Sequence, residues 1–451
     1  MRFYKTTKIA VVAVFITIAV ASTALSESVV LTEAGAVDRA LSQNLQLEQR
    51  RVGLTTSSRN AETAWNALIP EVSLSGSLVR NNEEITLPPP GADYHTVLSA
   101  QVQARFTFSF ASIEGIETAR LRYHADQLSY EEAEREIARE TRKLFYTLIL
   151  QEEQIAVARN SVRIAEDTLD QRTEEYRNGI TPEVTVRQAE VTVENRRLAL
   201  QRQETAYSNT LAQVRLLLGI PQERTVELSG SIDSQPQFDA MPIVNREELT
   251  RRPDVRAITA NIAAQRSAAT AQRQLAWTPS LSLSASYNPN LADPFDPDNP
   301  ANDNWSEWND RGSLSVTISV PVSNYLPVSK SSVEVFASED AIDSLGVQRE
   351  SILESALSEV STLKRQLDSS HRSIESLELG LRLAEEVYEL TLEAYEQGAT
   401  DFLDVQEAED DREQARYDLL RERFTYLTTL IDLEYALNSE LREGTELRSQ
   451  K

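Results

Sequence analysis

Cysteine is absent from the 451-residue chain, which excludes disulfide staples, thiolate metal sites, cysteine nucleophiles and a lipid-modified N-terminal cysteine. Histidine is scarce. The three present, His95, His124 and His371, show no metal-ligand spacing, and no nucleophile elbow, phosphate loop or zinc motif accompanies them, so no enzyme chemistry, metal site or cofactor is expected. Positive charge is in deficit too: 45 Lys and Arg against 70 Asp and Glu leave a net charge of -25, which argues against nucleic-acid binding. Long apolar runs are missing beyond residue 28, where nothing approaches the roughly 18 residues of a spanning helix. Any passage through a membrane must then be made by strands.

The N-terminus does carry a short apolar run, Ile9 to Ala21, preceded by Arg2, Lys5 and Lys8 and followed by small residues through Ala24 and Ser26. It reads as a secretory signal peptide over residues 1–26, with cleavage after Ala24, Ser26 or Ser28. The mature chain is expected to leave the cytoplasm.

The remainder is duplicated. Pro70, Val72, Ser73, Leu74 and Ser75 match Pro279, Leu281, Ser282, Leu283 and Ser284, and Tyr176-Arg177-Asn178-Gly179-Ile180-Thr181 matches Tyr395-Glu396-Gln397-Gly398-Ala399-Thr400. The similarity runs from about Val29 to Ile220 and from about Val244 to Asn438, across a polar linker with Gly230, Pro236 and Pro242. Two structural repeats, 27–235 and 236–440, are expected, with a polar tail over 441–451.

Proline is missing between Pro90 and Pro182 and after Pro327, as long uninterrupted helices require. Leu148, Ile155, Val162, Leu169 and Tyr176 recur every seventh residue, as do Leu367, Ile374, Leu381, Tyr388 and Tyr395 in the second half and Val186, Val193, Leu200, Tyr207 and Val214 on the return of the first. Each half should hold a long antiparallel coiled-coil hairpin, turned at Asn178-Gly179 and at Gln397-Gly398. The first long helix is expected from Ser112.

Four segments alternate with period two instead: Val72 to Leu78, Val102 to Phe110, Leu281 to Tyr287 and Leu314 to Val322, each apolar on one face and mostly hydroxyl on the other. A soluble sandwich fits the alternation alone. Their length of about nine or ten residues, the long polar loops expected between them, and Trp305 and Trp308 in the second loop favour membrane strands. Four such strands leave two unpaired edges that lipid cannot satisfy, so other copies must complete a barrel; three copies give about twelve strands and a wet lumen, where two would give a filled one.

This order of helix, strand, loop, strand, long helix, glycine turn and helix, repeated once after a signal peptide, resembles the TolC-type outer-membrane factor family over nearly the whole mature chain. The most specific matches are the two turn segments and Asp401-Phe402-Leu403-Asp404-Val405-Gln406-Glu407-Ala408. The resemblance implies a mainly α fold with membrane β: an α-barrel of coiled-coil helices continuing a twelve-stranded homotrimeric β-barrel in the outer-membrane bilayer and extending into the periplasm. It also implies a channel for efflux or type I secretion, served by an inner-membrane pump and a periplasmic adaptor that meets the turns Asn178, Gly179, Ile180 and Gln397, Gly398, Ala399. By that resemblance Asp404 and Glu407, with Thr185 and Gln188 in the first repeat, face a pore constriction, and Tyr395, Tyr176 and Asp401 belong to the tip. Read from the residues alone, the acids suit a helix start and the tyrosines a coiled-coil seam. Thr400 stands where some relatives have an arginine that ties the tip shut. A periplasmic coiled-coil scaffold without a pore would explain the heptads but not the alternating strands.

Overall fold

The computed structural model describes residues 29–86, 93–232, 245–292, 294, 308 and 311–439. The expected signal peptide, the tail 441–451, Pro236, Pro242 and Trp305 lie outside the described residues.

The chain opens with strand β1 (Val29–Leu31), α1 (Glu33–Gln43) and α2 (Leu45–Thr63). Thr32 caps α1 by accepting from the Gly35 N–H, and Asn44 caps α2 by accepting from Gln46 and Leu47. A 3-10 turn leads into β2 (Glu71–Thr86) and β3 (Asp93–Phe108), after which come the hairpin α3 (Phe110–Arg177) and α4 (Glu183–Leu217) and the short β4 (Val226–Leu228). The second repeat follows the same plan: α5 (Arg246–Leu249), α6 (Pro253–Trp277), β5 (Ser280–Tyr287), β6 (Asn290–Ala292), β7 (Gly312–Ser319), α7 (Lys330–Glu396) and α8 (Phe402–Leu437).

Helices α3 and α7 have 68 and 67 residues, so each is about 100 Å long. Burial along their seams is graded. Leu148 and Leu367 are fully covered and Ile155, Val162 and Ile374 nearly so, yet Tyr176 and Tyr395 near the far ends are over 40% exposed in the single chain. The core sits at mid-length. In the first repeat Phe145, Leu148 and Ile149 of α3 are covered by α1, β1 and β4, the latter two paired in parallel. In the second repeat Leu249 and Val255 cover Leu353, Ala356 and Val360 of α7.

Ion pairs sew the repeats together at this level. Arg142 donates to Glu33 (2.5 Å) and to Glu434 (2.7 Å), Tyr146 donates to Glu33 (2.6 Å), and Lys143 pairs with Asp432 (2.7 Å). Burial works against the Arg142 charge, but the Glu434 and Glu33 carboxylates outweigh it and raise its pKa, while burial first and then Glu33 push the Tyr146 phenol upward.

The large sheet is antiparallel in the order β2-β3-β5-β7, with β6 beside β3. Its register aligns the binary pattern across strands: Phe108, Leu281 and Ile318 form one row, Phe106, Leu283 and Val316 the next, Val72, Ala104, Ala285 and Leu314 another. On the opposite face lie Ser73, Gln103, Ser286 and Ser313, with hydroxyl pairs Ser286–Ser313 (2.9 Å) and Ser284–Ser315 (2.7 Å). The structure moves three boundaries of the sequence reading. Phe110 starts α3 and is not a strand residue, β7 stops at Ser319 because Pro321 cannot continue a ladder, and the loop expected between the first two strands is mostly ladder, with an irregularity between Arg80 and Ile85.

Candidate functional site: the wall and its tip

Among the described residues the apolar face of the sheet is bare along the edge strands β2 and β7 and partly exposed along β3 and β5. Leu74 and Leu314 are each 78% exposed, and Val72, Val316 and Ile318 are at least 63% exposed. A contiguous apolar surface of this extent is unfavourable in water and neutral in hydrocarbon. From Leu98 to Phe108 it runs about 33 Å along the strand, or about 24 Å along the membrane normal at a tilt near 45°, which is the height of a barrel's lipid-facing band. The hydroxyl face is wettable.

The layer is also unfinished sideways. Strands β2 and β7 each pair on one side only among the described residues. The helices below follow the same order, α2-α3-α6-α7 in the upper half and α4-α3-α8-α7 in the lower. The free edges carry exposed apolar side chains at coiled-coil spacing, Val184, Val191 and Leu198 on α4 and Leu383 and Leu390 on α7.

Both turns at the far end are built alike. Gly179 (φ 74°) and Gly398 (φ 72°) take the left-handed conformation that ends a helix. Gly179 N–H bonds to Tyr176 O (2.9 Å) and Ile180 N–H to Glu175 O (2.8 Å), and Gly398 and Ala399 repeat the pattern on Tyr395 and Ala394. This is the Schellman closure that pattern reading anticipates from Asn-Gly and Gln-Gly.

The side chains differ. At the second turn Asp401 caps α8 by accepting from the Asp404 N–H (3.2 Å), and the Asp404 carboxylate also accepts from the Thr400 hydroxyl. Thr400 therefore holds the Asp404 carboxylate through an uncharged donor. Glu407 is exposed on the same face as Asp404, beside the buried side that carries Val405 and Ala408, and makes no ion pair among the described residues. The Tyr395 ring rests on Phe402, with centroids 5.6 Å apart. At the first turn α4 starts at Pro182 with no side-chain cap; Thr185 is half-exposed, Gln188 exposed, Ile180 74% exposed and Tyr176 turned outward. Arg187 bonds Glu190 (2.9 Å) and Glu183 (3.2 Å), and these bonds raise its pKa further.

The two turns are not level. Thr168 meets Gln406 (3.3 Å), after which α3 continues nine residues to Arg177 while α8 has only four residues left to Phe402. The first turn thus projects on the order of 7 Å beyond the second. Asp404 and Glu407 lie about 4.5 Å apart along α8, as do Thr185 and Gln188 along α4, and the second pair sits nearer the projecting turn. The structure does not gather the four into a single group.

Sequence reading missed the polar seam between α3 and α8. Gln406, 1% exposed, donates to Asp167 and accepts from Thr168 (3.3 Å each), Ser161 donates to Asp410 (2.8 Å), and Arg163 spans Asp167 (3.0 Å) and Glu409 (3.1 Å). A glutamine among Val405 and Ala408 on the buried face was the only signal.

A sheet with one bare apolar face and one hydroxyl face, set on a helical wall too long for any compact domain, defines an outer-membrane channel wall. The sequence pattern described as outer membrane efflux protein matches residues 36–220 and again 244–439, and the chain belongs to that family. Its place is the outer membrane, with the helices extending into the periplasm. The fold is shared with the Campylobacter jejuni CmeC outer membrane channel (16% identity, 92% of this chain and 87% of that one, TM-score 0.73). It is shared also with the open state of the Neisseria gonorrhoeae MtrE outer membrane channel (17%, 92% and 91%, TM-score 0.71) and with the outer membrane protein VceC of Vibrio cholerae (16%, 90% and 96%, TM-score 0.67). Comparison with curated sequences finds no match.

Proposed function

We propose that three copies of the chain close into a twelve-stranded barrel continued by a helical tunnel, which passes cargo delivered by an inner-membrane pump and a periplasmic adaptor, in efflux or type I secretion. The observation that carries this reading is the pair of unfinished edges, β2 with α2 and α4 on one side and β7 with α7 on the other. Ladder groups at β2 and β7 have no acceptor in lipid, and joining β2 of one copy to β7 of the next satisfies both. Such head-to-tail joining is heterologous and must close into a ring.

The helical edges support the same joint. Arg197–Glu166, Arg163–Glu409 and Arg412 over Tyr388 step across the layer and put Leu198 of α4 and Leu390 of α7 at about the same height. In the ring these bare side chains cover each other, and so do Tyr176 and Tyr395 as they approach the axis. Asp404 and Glu407 then form two stacked carboxylate rings about 4.5 Å apart, with the neutral rings of Thr185 and Gln188 below them. The turns at Asn178–Ile180 and Gln397–Ala399, the outermost points of the tunnel, are the surface offered to the adaptor.

Mass measurement in mild detergent and single-channel recording in planar bilayers test the reading together. A trimer with discrete conductance is expected. A monodisperse monomer without conductance would instead favour a scaffold protein.

A further inference from the structure

Beneath the sheet the upper helices leave a hollow. A cavity of about 310 Å³ lies between α2, α3 and α6. It is level with residues 115–122 of α3, about 7–18 Å below the first residue of that helix. Its origin is in the sequence. Gly115 and Ala119 share one side of α3, as Ala268 and Ala271 share one side of α6, so two of its walls carry nothing larger than a methyl group. A Cβ at Gly115 would meet no atom within 4 Å. Thr118 is spent on the contact between the two helices, where its hydroxyl meets that of Ser267 (2.9 Å).

The rest of the lining is polar. Helix α2 contributes Ser57 and Asn60, one turn apart, and α3 contributes Arg122. Among the described residues these three side chains make no hydrogen bond or ion pair, and Asp126, one turn beyond Arg122, is not bonded to it. An unopposed positive charge and two neutral hydrogen-bonding groups thus stand over a floor of alanines. The duplication does not require this arrangement: the shift of 219 that aligns the two turns puts buried Ser338 at Ala119 and Ala341 at Arg122.

We infer that this cavity binds a small organic anion with a flat apolar body, its carboxylate or sulfonate on Arg122, its polar edge on Ser57 and Asn60 and its flat face on the alanines. The guanidinium fork matches two acid oxygens at once, and the volume suits a body of one or two fused rings. On α3 the cavity faces roughly the opposite side from Phe145 and Ile149, which carry α1, β1 and β4. In the ring proposed above, a further layer on the inner side would fill the tunnel, so α1, β1 and β4 lie outside and the cavity of each copy opens inward. It then gives anionic cargo a foothold between the carboxylates of the tip and the hydroxyl face of the sheet. That placement rests on the ring; the binding does not.

The absence of native cysteine makes the test clean. In the full-length protein, naphthalene-2-sulfonate at saturation should slow maleimide labelling of Ala268→Cys about fivefold or more, and leave labelling of Glu117→Cys, on the far side of α3, unchanged. Arg122→Gln should raise the half-protecting concentration about tenfold. Gly115→Leu, which fills the cavity, should slow the labelling without the probe and remove the probe's effect. No protection of Ala268→Cys, protection indifferent to Arg122→Gln, or equal protection by uncharged naphthalene-2-sulfonamide overturns the inference. The placement is read separately. In planar bilayers the probe should interrupt the current in brief blockades, which Arg122→Gln shortens about tenfold. Protection without blockades of a conducting protein would overturn the inward face assigned to the cavity, whereas protection in a protein that conducts nothing would defeat the channel reading and leave the binding site standing.

Discussion

Asp404 does two jobs that pull in different directions. Its carboxylate accepts from Thr400 and its amide bonds the Asp401 cap, which fixes its position, while its negative charge is left without a cationic partner among the described residues. In the proposed trimer three such groups around one axis would repel unless cations lay between them, and Glu407 on the same face would add a second ring. Asp404→Ala with Glu407→Ala should therefore weaken cation selectivity and relieve block by divalent cations added from the periplasmic side, leaving the trimer intact because both residues are exposed. Reversal-potential measurements in a salt gradient would show it. Unchanged selectivity and block would reduce the acids to a helix-start feature and shift attention to the neutral ring of Thr185 and Gln188. On the sheet the contrast is between faces. Val316→Arg places a charge toward lipid at a cost of about 2–4 kcal/mol near the midplane and should reduce the amount of inserted protein. Ser315→Arg, on the hydroxyl face beside Ser284, should insert normally and change conductance. Equal loss of insertion from both would indicate a sheet buried on both sides.

At the scale of elements, the turns show what sequence fixes well. Gly179 and Gly398 have open space where a Cβ would go, so a substitution there is opposed by the left-handed backbone and not by a clash. Gly398→Ala should cost about 1 kcal/mol and Gly398→Asn less, since asparagine tolerates this conformation; chemical unfolding of the two variants compares them, and equal stability would mean that the turn rearranges. Legibility followed the length of the signal. Heptads repeated over α3 and α7 and alternation over the four long strands announced themselves because each period recurs several times. Strands β1 and β4, three residues each, are too short for the two-residue period to recur and were invisible. So was the polar seam of Gln406 with Asp167 and Thr168, because it joins positions about 240 residues apart and no local pattern encodes that pairing. Strand ends were misjudged where apolar residues continue past the ladder, as at Phe110 and Val322, since hydrophobicity does not record whether a backbone N–H is paired. At the tip the glycines were placed correctly, but the difference in height between the two turns emerged only from the α3–α8 register.

At the scale of the whole molecule, the single chain is a wall with complementary edges. Among the described residues every layer ends the same way: bare ladder at β2 and β7 in the sheet, bare apolar side chains on α2 and α4 against α7 in the helices. An isolated protomer would expose Val191, Leu198, Leu383 and Leu390 to water, and burying one such side chain contributes about 1.5–3 kcal/mol. Because both edges belong to every copy, the joint can be tested without knowing any partner. The ion pairs that step across the layer place Leu198 and Leu390 at matching heights on opposite edges, too far apart to meet within one chain because α3 and α8 lie between them. Leu198→Cys with Leu390→Cys, in a protein that has no other cysteine, should therefore form disulfides only between copies. Denaturing gels without reductant should show a ladder that stops at three chains, or a single trimer band at completion. Either single variant should stay monomeric on the same gel. A ladder extending beyond three would mean that the edges join without closing at three, and absence of any ladder, with the trimer still intact by mass, would mean that α4 and α7 are not the helices that meet.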